Sequence, residues 1–516
     1  MTDLGEAPSR TLGEGEDRTA NAARGGVLTA VGSGLSMAFS LAIIILVTRT
    51  YGAEGAGVFF GVVALFTLAG TTAKLGAETG LVYSISRSRA AGRDEEVVPT
   101  IRLALLPPLV VAVLFAVLAL VAAPALARWL TDPASADDYA LVVRGVALAL
   151  PAFVAVHVLS GATRGLGRMR PTVYGINIGR PALQLVPMVA VAGAGLGLGA
   201  LGLAWALPMV VTAVLMYAWL SRLLEEGDIT KREPASRPGR SRQFWSYAAP
   251  RGVANTLQIA QDRSGVLLLG ALATASSAGL FVTVARLIGA LRLFTYAVGQ
   301  ALNPQLSALI ALGDRDGANR LLQQISAWTA LPILPVGVGL LVFPEAALSV
   351  FGDDFEQGAL ALSILAATTL LTAFLSHTDN VLLMGGRSRT SLLNVSFSLV
   401  VTVTGLILLI PAHGVEGAAV AWSLGMLAYA LVPLWFGWRQ LRLQPFGAEA
   451  ANVAVAVLPC LALSGLGRLV LGSSLPAAAV SCTAGLIGYL AVLHRRRDQV
   501  GLPALVAVFR DRRGAV

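Results

Sequence analysis

Charge is what this sequence has least of. Only 13% of its 516 residues are Asp, Glu, Lys or Arg, about half the roughly 25% of an ordinary soluble domain. Lysine is nearly missing: Lys74 and Lys231 stand alone, and neither sits in a Gly-rich loop. Without a phosphate-cradling loop, the polypeptide alone is excluded as an ATP-driven pump. The two cysteines, Cys460 and Cys482, fall in apolar runs and suggest neither a disulfide framework nor a metal site. No metal, catalytic group or cofactor is therefore expected. Residues 1–24 are polar and mixed in charge, and the first apolar run is long enough to stay as a span, so no cleavable signal peptide is expected.

What is abundant is hydrocarbon. The composition is 56% hydrophobic with a mean hydropathy of +0.73. Apolar runs of membrane-spanning length recur near 25–48, 57–84, 100–123, 139–163, 171–192, 198–221, 244–270, 277–304, 320–343, 358–383, 391–410, 417–438, 450–470 and 475–493. The expected fold is an all-α polytopic membrane protein of about 14 transmembrane helices. The net charge of +9 is explained by placement. The N-terminal tail and alternate loops hold 27 Lys and Arg, whereas the other loops hold three, Arg49, Arg128 and Arg468. That asymmetry puts both termini in the cytoplasm of a bacterial inner membrane and excludes a nucleic-acid surface as its explanation.

The chain contains itself twice. "AGVFFGVVAL" at 56–65 matches "AGLFVTVARL" at 278–287, an offset of 222. The expected organisation is a tail at 1–24, a six-helix lobe at 25–222 and a linker at 223–243. A second six-helix lobe follows at 244–440, then an appended helix pair at 441–494 and a basic tail at 495–516. Even-numbered repeats share one topology, so their pseudo-axis should run along the membrane normal. On the first run Thr29, Ser33, Ser36 and Ser40 follow helical spacing. Adding 222 lands on Arg251, Asn255, Gln258 and Asp262, the same stripe on the seventh run. The second run carries Thr67, Thr71, Lys74 and Glu78; the eighth carries Arg286, Arg292, Tyr296, Gln300 and Asn303. Ionisable groups inside a membrane normally face a bundle interior or a watery cavity. The simplest geometry has helices 1, 2, 7 and 8 lining one cleft between the lobes.

At this point the sequence resembles a known group. "LVTRTYGAEGAGVFFGVVALFTLAGTTAKLGAETGLVYSISR" at 46–87, "SYAAPRGVANTLQIAQDRSGVLLLG" at 246–270 and "ALNPQLSALIALGDRD" at 301–316 resemble the polysaccharide-biosynthesis (Wzx-type) flippases. These belong to the multidrug/oligosaccharidyl-lipid/polysaccharide exporter superfamily. "FGDDFEQGALALSILA" at 351–366 and "LLIPAHGVEGAAVAW" at 408–422 extend the likeness. The resemblance implies two lobes working by alternating access, and a polyprenyl-pyrophosphate-linked oligosaccharide moved from the cytoplasmic to the outer leaflet. It also implies partners: the bilayer, and the polymerase and glycosyltransferases of the same pathway.

A pyrophosphate crossing a bilayer needs cations that replace its water. Lys74, Arg251, Arg286, Arg292 and Arg180 are the candidates, with Arg favoured because its planar fork bonds oxygens bidentately. Ser33, Ser36, Ser40, Asn255, Gln258, Gln300 and Asn303 are the sugar-side polar groups. Glu78 and Asp262 are the carboxylates that coupling to H⁺ or Na⁺ would use; the membrane potential is the other energy source left open. Each has a plain competitor. Lys74 and Glu78 are i, i+4 neighbours able to neutralise one another, and Asp262 could pair with an Arg to hold the lobes together. His157, His377 and Asp379 are read as packed near the inner rim, and Arg263 as a helix contact.

Two rivals share the superfamily. A cation or multidrug antiporter predicts a cavity of carboxylates, whereas these helices hold eight Lys or Arg against Glu78, Asp262 and Asp379. A lipid II flippase would carry cations on its first helix, where this chain has Thr and Ser. A membrane glycosyltransferase or polymerase needs a sizeable outer loop, and the longest here is about fifteen residues.

Overall fold

The computed structural model describes residues 12–130, 136–229, 239–379, 381 and 388–501, with side chains from residue 32 onward apart from a few helix positions. Among the described residues the regular structure is entirely helical. The first lobe holds α1 (Leu12–Ala73), α2 (Ala77–Ala90), α3 (Val97–Leu130), α4 (Ala136–Ala147), α5 (Leu150–Gly165), α6 (Arg180–Gly193) and α7 (Leu198–Glu226). The second holds α8 (Arg240–Leu272), α9 (Ala275–Leu312), α10 (Arg315–Val342), the short α11 (Pro344–Ser349), α12 (Ala359–Thr372) and α13 (Ser388–Phe436). A final pair, α14 (Ala448–Leu471) and α15 (Leu475–Arg495), packs on itself and on α10.

Ten helical stretches among the described residues are long and apolar enough to cross a membrane, against the fourteen runs expected. Two physical effects separate the numbers. A straight 62-residue α1 would be about 90 Å long, three times a bilayer core. It breaks instead at Gly52, whose φ of 67° only glycine adopts without strain. The 49-residue α13 breaks likewise at Gly414, φ 51°. Each of these long stretches thus contains two of the apolar runs. Conversely, α8 carries Arg251, Asp262 and Arg263 in its middle, and the 171–192 run carries Asn177, Arg180 and Gln184; those polar groups take both off a purely apolar scale.

Lipid-facing surface is legible in the packing. On α3 the side chains of Leu106, Val110, Leu114, Val117, Leu118 and Val121 are all exposed and fall at helical spacing, while Ala104, Ala112 and Ala116 are buried. Small residues face the protein, so helix backbones approach closely, and branched ones face the hydrocarbon.

The lobes touch chiefly through α1 and α2 on one side and α8 and α9 on the other, with α3 also against α8. Let the proximal face be the one holding the end of α7 and the start of α8, and the distal face the one holding Gly52. Toward the distal face, a Cβ on Gly57 would collide with the carbonyl of Ala275 and lie 3.0 Å from Gly279 N. A Cβ on Gly279 would collide with the carbonyl of Ala53 and lie 2.9 Å from Gly57 N. The pairs Ala53/Gly57 and Ala275/Gly279 are related by the 222-residue offset, so this is a reciprocal contact of equivalent residues. Arg49 adds a latch, donating from Nε to Val350 O (3.0 Å) and from Nη2 to Ser349 O (2.8 Å). Toward the proximal face a second crossing seats Gly252 with its Cα against Leu75 and Gly76, where an added Cβ would stand 2.6 Å from Leu75 C and 2.7 Å from Gly76 N. Beside it the Tyr83 and Tyr247 rings stack at 4.1 Å.

The appended pair is fixed to α10 by a specific repair. Pro335 has no N–H to offer the carbonyl four residues back, so the Leu331 oxygen lacks its helical donor. The buried hydroxyl of Tyr489, on α15, donates to that oxygen at 2.8 Å. Trp328 Nε1 donates to Val500 O (3.3 Å), and Arg468 pairs with Glu345 (2.9 Å). Cys460 and Cys482 are free thiols.

Candidate functional site

Two polar centres lie inside the lobes, one in each. The first is built on the break between α1 and α2. Helix stops at Ala73, and Leu75 and Gly76 both take left-handed φ, 51° and 76°. For a leucine that conformation costs about 1–2 kcal/mol. Lys74 and Glu78 flank the break, and Lys74 Nζ lies 3.1 Å from Glu78 Oε2. From α5, Arg164 Nη2 reaches Glu78 Oε1 at 2.5 Å, and His157 Nδ1 stands 3.7 Å from Oε2. His157, Gly161 and Arg164 share one face of α5. Gly161 lets that face close onto α2, since a Cβ there would sit 2.9 Å from Glu78 Cα. The Phe153 ring packs on His157 (4.5 Å between centroids) and lies under Lys74 Nζ at 5.9 Å. Arg180, at the start of α6, stands within electrostatic reach of His157. These side chains are largely buried in the interior, with 12% to 28% of Lys74, Glu78, His157 and Arg164 exposed. The nitrogens His157 Nε2, Arg164 Nε and Arg180 Nε are buried with no hydrogen-bond partner among the described residues.

The second centre is a cavity of about 540 Å³ between α8, α9, α10, α12 and α13. That volume suits a drug-sized molecule or a sugar residue or two. Gln258, Gln261, Asp262, Arg292, Thr369 and Tyr429 are among its walls. Arg292 Nη1 lies 3.1 Å from Asp262 Oδ1, and its guanidinium covers the Trp422 ring at 5.4 Å. Gln261 Nε2 donates to Ser398 Oγ at 2.6 Å. Beneath, the buried Asp379 accepts from Ser391 Oγ (2.9 Å), Asn394 Nδ2 (3.3 Å) and Tyr429 OH (3.3 Å). His377 is buried against Thr329 Oγ1 at 2.9 Å.

Of the residues singled out from the sequence, Lys74 and Glu78 therefore meet, with Arg180 near, and Gln258, Asp262 and Arg292 meet elsewhere. The ion pair of Asp262 lies within the second lobe and does not tie the two lobes together. Arg286 is half-buried and lies near Arg263. Ser33, Ser36, Ser40 and Asn255 are half-buried and Arg251 is exposed; none of them lines the 540 Å³ cavity. The side chains of Gln300 and Asn303 lie outside the described residues. Sequence reading assigned Arg164 to a loop and His157 to plain packing. The signal that places them together is their i, i+7 spacing on a helix whose Gly161 faces Glu78.

Comparisons with known proteins converge. The family model described as "Polysaccharide biosynthesis protein" matches residues 22–310. A "Probable low-salt glycan biosynthesis flippase Agl15" of Haloferax volcanii is 27% identical over 164 residues, 31% of this chain and 34% of that protein. An "Uncharacterized membrane protein MJ1068" of Methanocaldococcus jannaschii is 25% identical over 154 residues, 29% of this chain and 30% of that protein. The chain thus spans about a third of the length of these curated relatives. Among solved structures, "Lipid II flippase MurJ, inward closed conformation" superposes with a TM-score of 0.73 at 12% identity, covering 92% of this chain and 100% of that one. An inward-facing "multidrug resistance MATE family transporter of the MOP superfamily" gives 0.65 at 17% identity, over 81% and 98%. These likenesses show the fold.

Proposed function

Because this chain belongs to the polysaccharide biosynthesis protein family, we propose that it is a flippase for a lipid-linked oligosaccharide with an anionic headgroup. In this reading it is a transporter and not an enzyme, it sits in a bacterial inner membrane, and the proximal face is cytoplasmic. The observation that carries the anionic substrate is the interior charge. Apart from the hydrogen-bonded Asp379, and Glu96, which is buried at the α2–α3 turn and answered by Arg93, the helices hold Lys74, Arg164, Arg180, Arg263, Arg286 and Arg292 against two carboxylates, Glu78 and Asp262. Cations in such excess are costly inside a membrane protein unless an anion answers them. A carrier of cationic drugs would need the opposite balance.

The two interlobe crossings support alternating access. At the centre of each, backbone meets backbone, and few polar or aromatic side chains must separate for it to part: the Arg49 latch at the distal crossing, the Tyr83–Tyr247 stack and Phe244 at the proximal one. The distal crossing joins residues equivalent by the repeat; both crossings are shut in this structure, and rocking about a pseudo-two-fold axis would open one while the other stays shut. An inside-negative potential would favour outward movement of the headgroup by roughly 2.3 kcal/mol per charge per 100 mV, and Glu78 and Asp262 remain the carboxylates for H⁺ or Na⁺ coupling.

The test uses purified protein in liposomes carrying a fluorescent polyprenyl-pyrophosphate oligosaccharide. Inner-leaflet probe should become accessible to an external quencher faster than in protein-free vesicles. No acceleration with several glycans, together with uptake of a cationic dye, would move the drug exporter to the front.

A further inference from the structure

The centre beside the α1–α2 break is over-supplied with positive charge. Lys74 and Arg164 face a single carboxylate, Glu78, and Arg180 stands by the neighbouring His157, which leaves two formal positive charges in a half-buried site. Glu78 already accepts at both oxygens, from Lys74 at one, with His157 close by, and from Arg164 at the other. Three buried N–H or ring nitrogens, on His157, Arg164 and Arg180, lack a partner among the described residues. A buried donor without an acceptor costs about 1–3 kcal/mol, more when it is charged. The site therefore has unused donors of the kind that bond several oxygens at once. A pyrophosphate esterified at both ends is a dianion at neutral pH and would cancel the two charges left over.

We infer that Glu78 is an internal counter-ion, standing among Lys74, His157, Arg164 and Arg180 in the place that a phosphoanhydride takes when substrate loads. This rests on the flippase reading for its lipid-linked source, but the anion chemistry stands alone. No bond is made or broken: one set of oxygens replaces another. The exchange has a mechanical outlet. Lys74 and Glu78 hold the two sides of the helix break, and Gly76 between them forms the proximal interlobe crossing with Gly252. While Lys74 is bound to Glu78, the break is clamped and the crossing stays shut. When an anion takes Lys74, the break is free to straighten out of the strained Leu75 conformation, and Gly76 moves off Gly252.

The experiment titrates inorganic pyrophosphate into the full chain in lipid nanodiscs, read calorimetrically. Wild type should bind. Arg180→Gln and Arg164→Gln should each weaken binding about tenfold or more, and Glu78→Gln should tighten it several-fold by removing the competing carboxylate. Arg292→Gln, in the other lobe, should leave it unchanged. Thermal unfolding of each variant is followed alongside, and Arg180→Lys supplies a folded comparison that keeps the charge but loses the fork. Absence of binding by wild type would overturn the inference. So would binding lost in Arg292→Gln but kept in Arg180→Gln and Arg164→Gln, or Glu78→Gln binding more weakly while still folded. Farnesyl pyrophosphate as competitor separates the sources: displacement at lower concentration marks a lipid-linked anion, whereas failure to displace bound pyrophosphate marks a soluble one. In the second case the site stands and the flippase reading loses its support.

Discussion

Replacing Gly57 by alanine adds one methyl group at the distal crossing, and the structure says where it must go. The new Cβ would fall inside the contact distance of the Ala275 carbonyl, 2.6 Å from Ala275 C and 3.0 Å from Gly279 N. All three atoms are backbone, so no rotamer change makes room and the helices must separate. Overpacking of this kind costs about 1–3 kcal/mol. Here the cost falls only on states in which the distal ends touch. At about 1.4 kcal/mol per factor of ten, the equilibrium should shift by roughly 5- to 150-fold toward states with those ends apart. Spin labels on Glu54→Cys and Ala273→Cys, both exposed positions, report the separation once Cys460 and Cys482 are replaced by alanine. Wild type should give a short distance, and Gly57→Ala a longer population at its expense. Gly279→Ala should do the same, because its Cβ meets the Ala53 carbonyl in mirror fashion. The double variant should fall short of the sum, since helices already parted by one methyl have room for the second. Unchanged distances in both single variants would refute the gating role of this contact.

Three further outcomes follow from contacts described above. Arg49→Ala removes two charge-assisted bonds to Ser349 and Val350; at an exposed site about 1 kcal/mol is expected, read as the same distal opening in the spin-label assay with a smaller amplitude than Gly57→Ala. Tyr489→Phe should lower unfolding stability by about 1–3 kcal/mol, because the Leu331 carbonyl is then left with neither the Pro335 amide nor a hydroxyl; an unchanged melting temperature would show that another donor replaces it. Asp262→Asn should change stability by less than about 1 kcal/mol, since both it and Arg292 are more than a third exposed; a large fall in denaturant midpoint would mean that the pair is structural.

The sequence carried the helical class and the polar faces of α1 and α8 because both are periodic, and periodicity is local. The Lys74–Glu78 pair was legible for the same reason, being one turn apart. Arg164 was not, because it lies at the last turn of α5, where a boundary error of two residues turns a helix residue into a loop residue. The partnership of His157 with Glu78 joins residues 79 apart in the chain, and no spacing rule reaches that far. The glycine crossings were half visible: Gly57 and Gly279 stood inside the repeated "AGVFF" and "AGLFV" segments. What the repeat could not tell is that the two copies touch one another. A glycine's purpose depends on the backbone opposite, which only the assembled fold supplies.

The Arg49 latch has a consequence for how this contact is inherited. Its acceptors are main-chain carbonyls of residues 349 and 350, so any side chain at those positions presents the same oxygens. Drift at 349 and 350 leaves the latch intact, and no compensating substitution on the second lobe can restore it once Arg49 is lost. Its whole chemical identity is encoded at one codon. A survey of paired substitutions between the lobes would therefore pass over a bond that helps hold them shut.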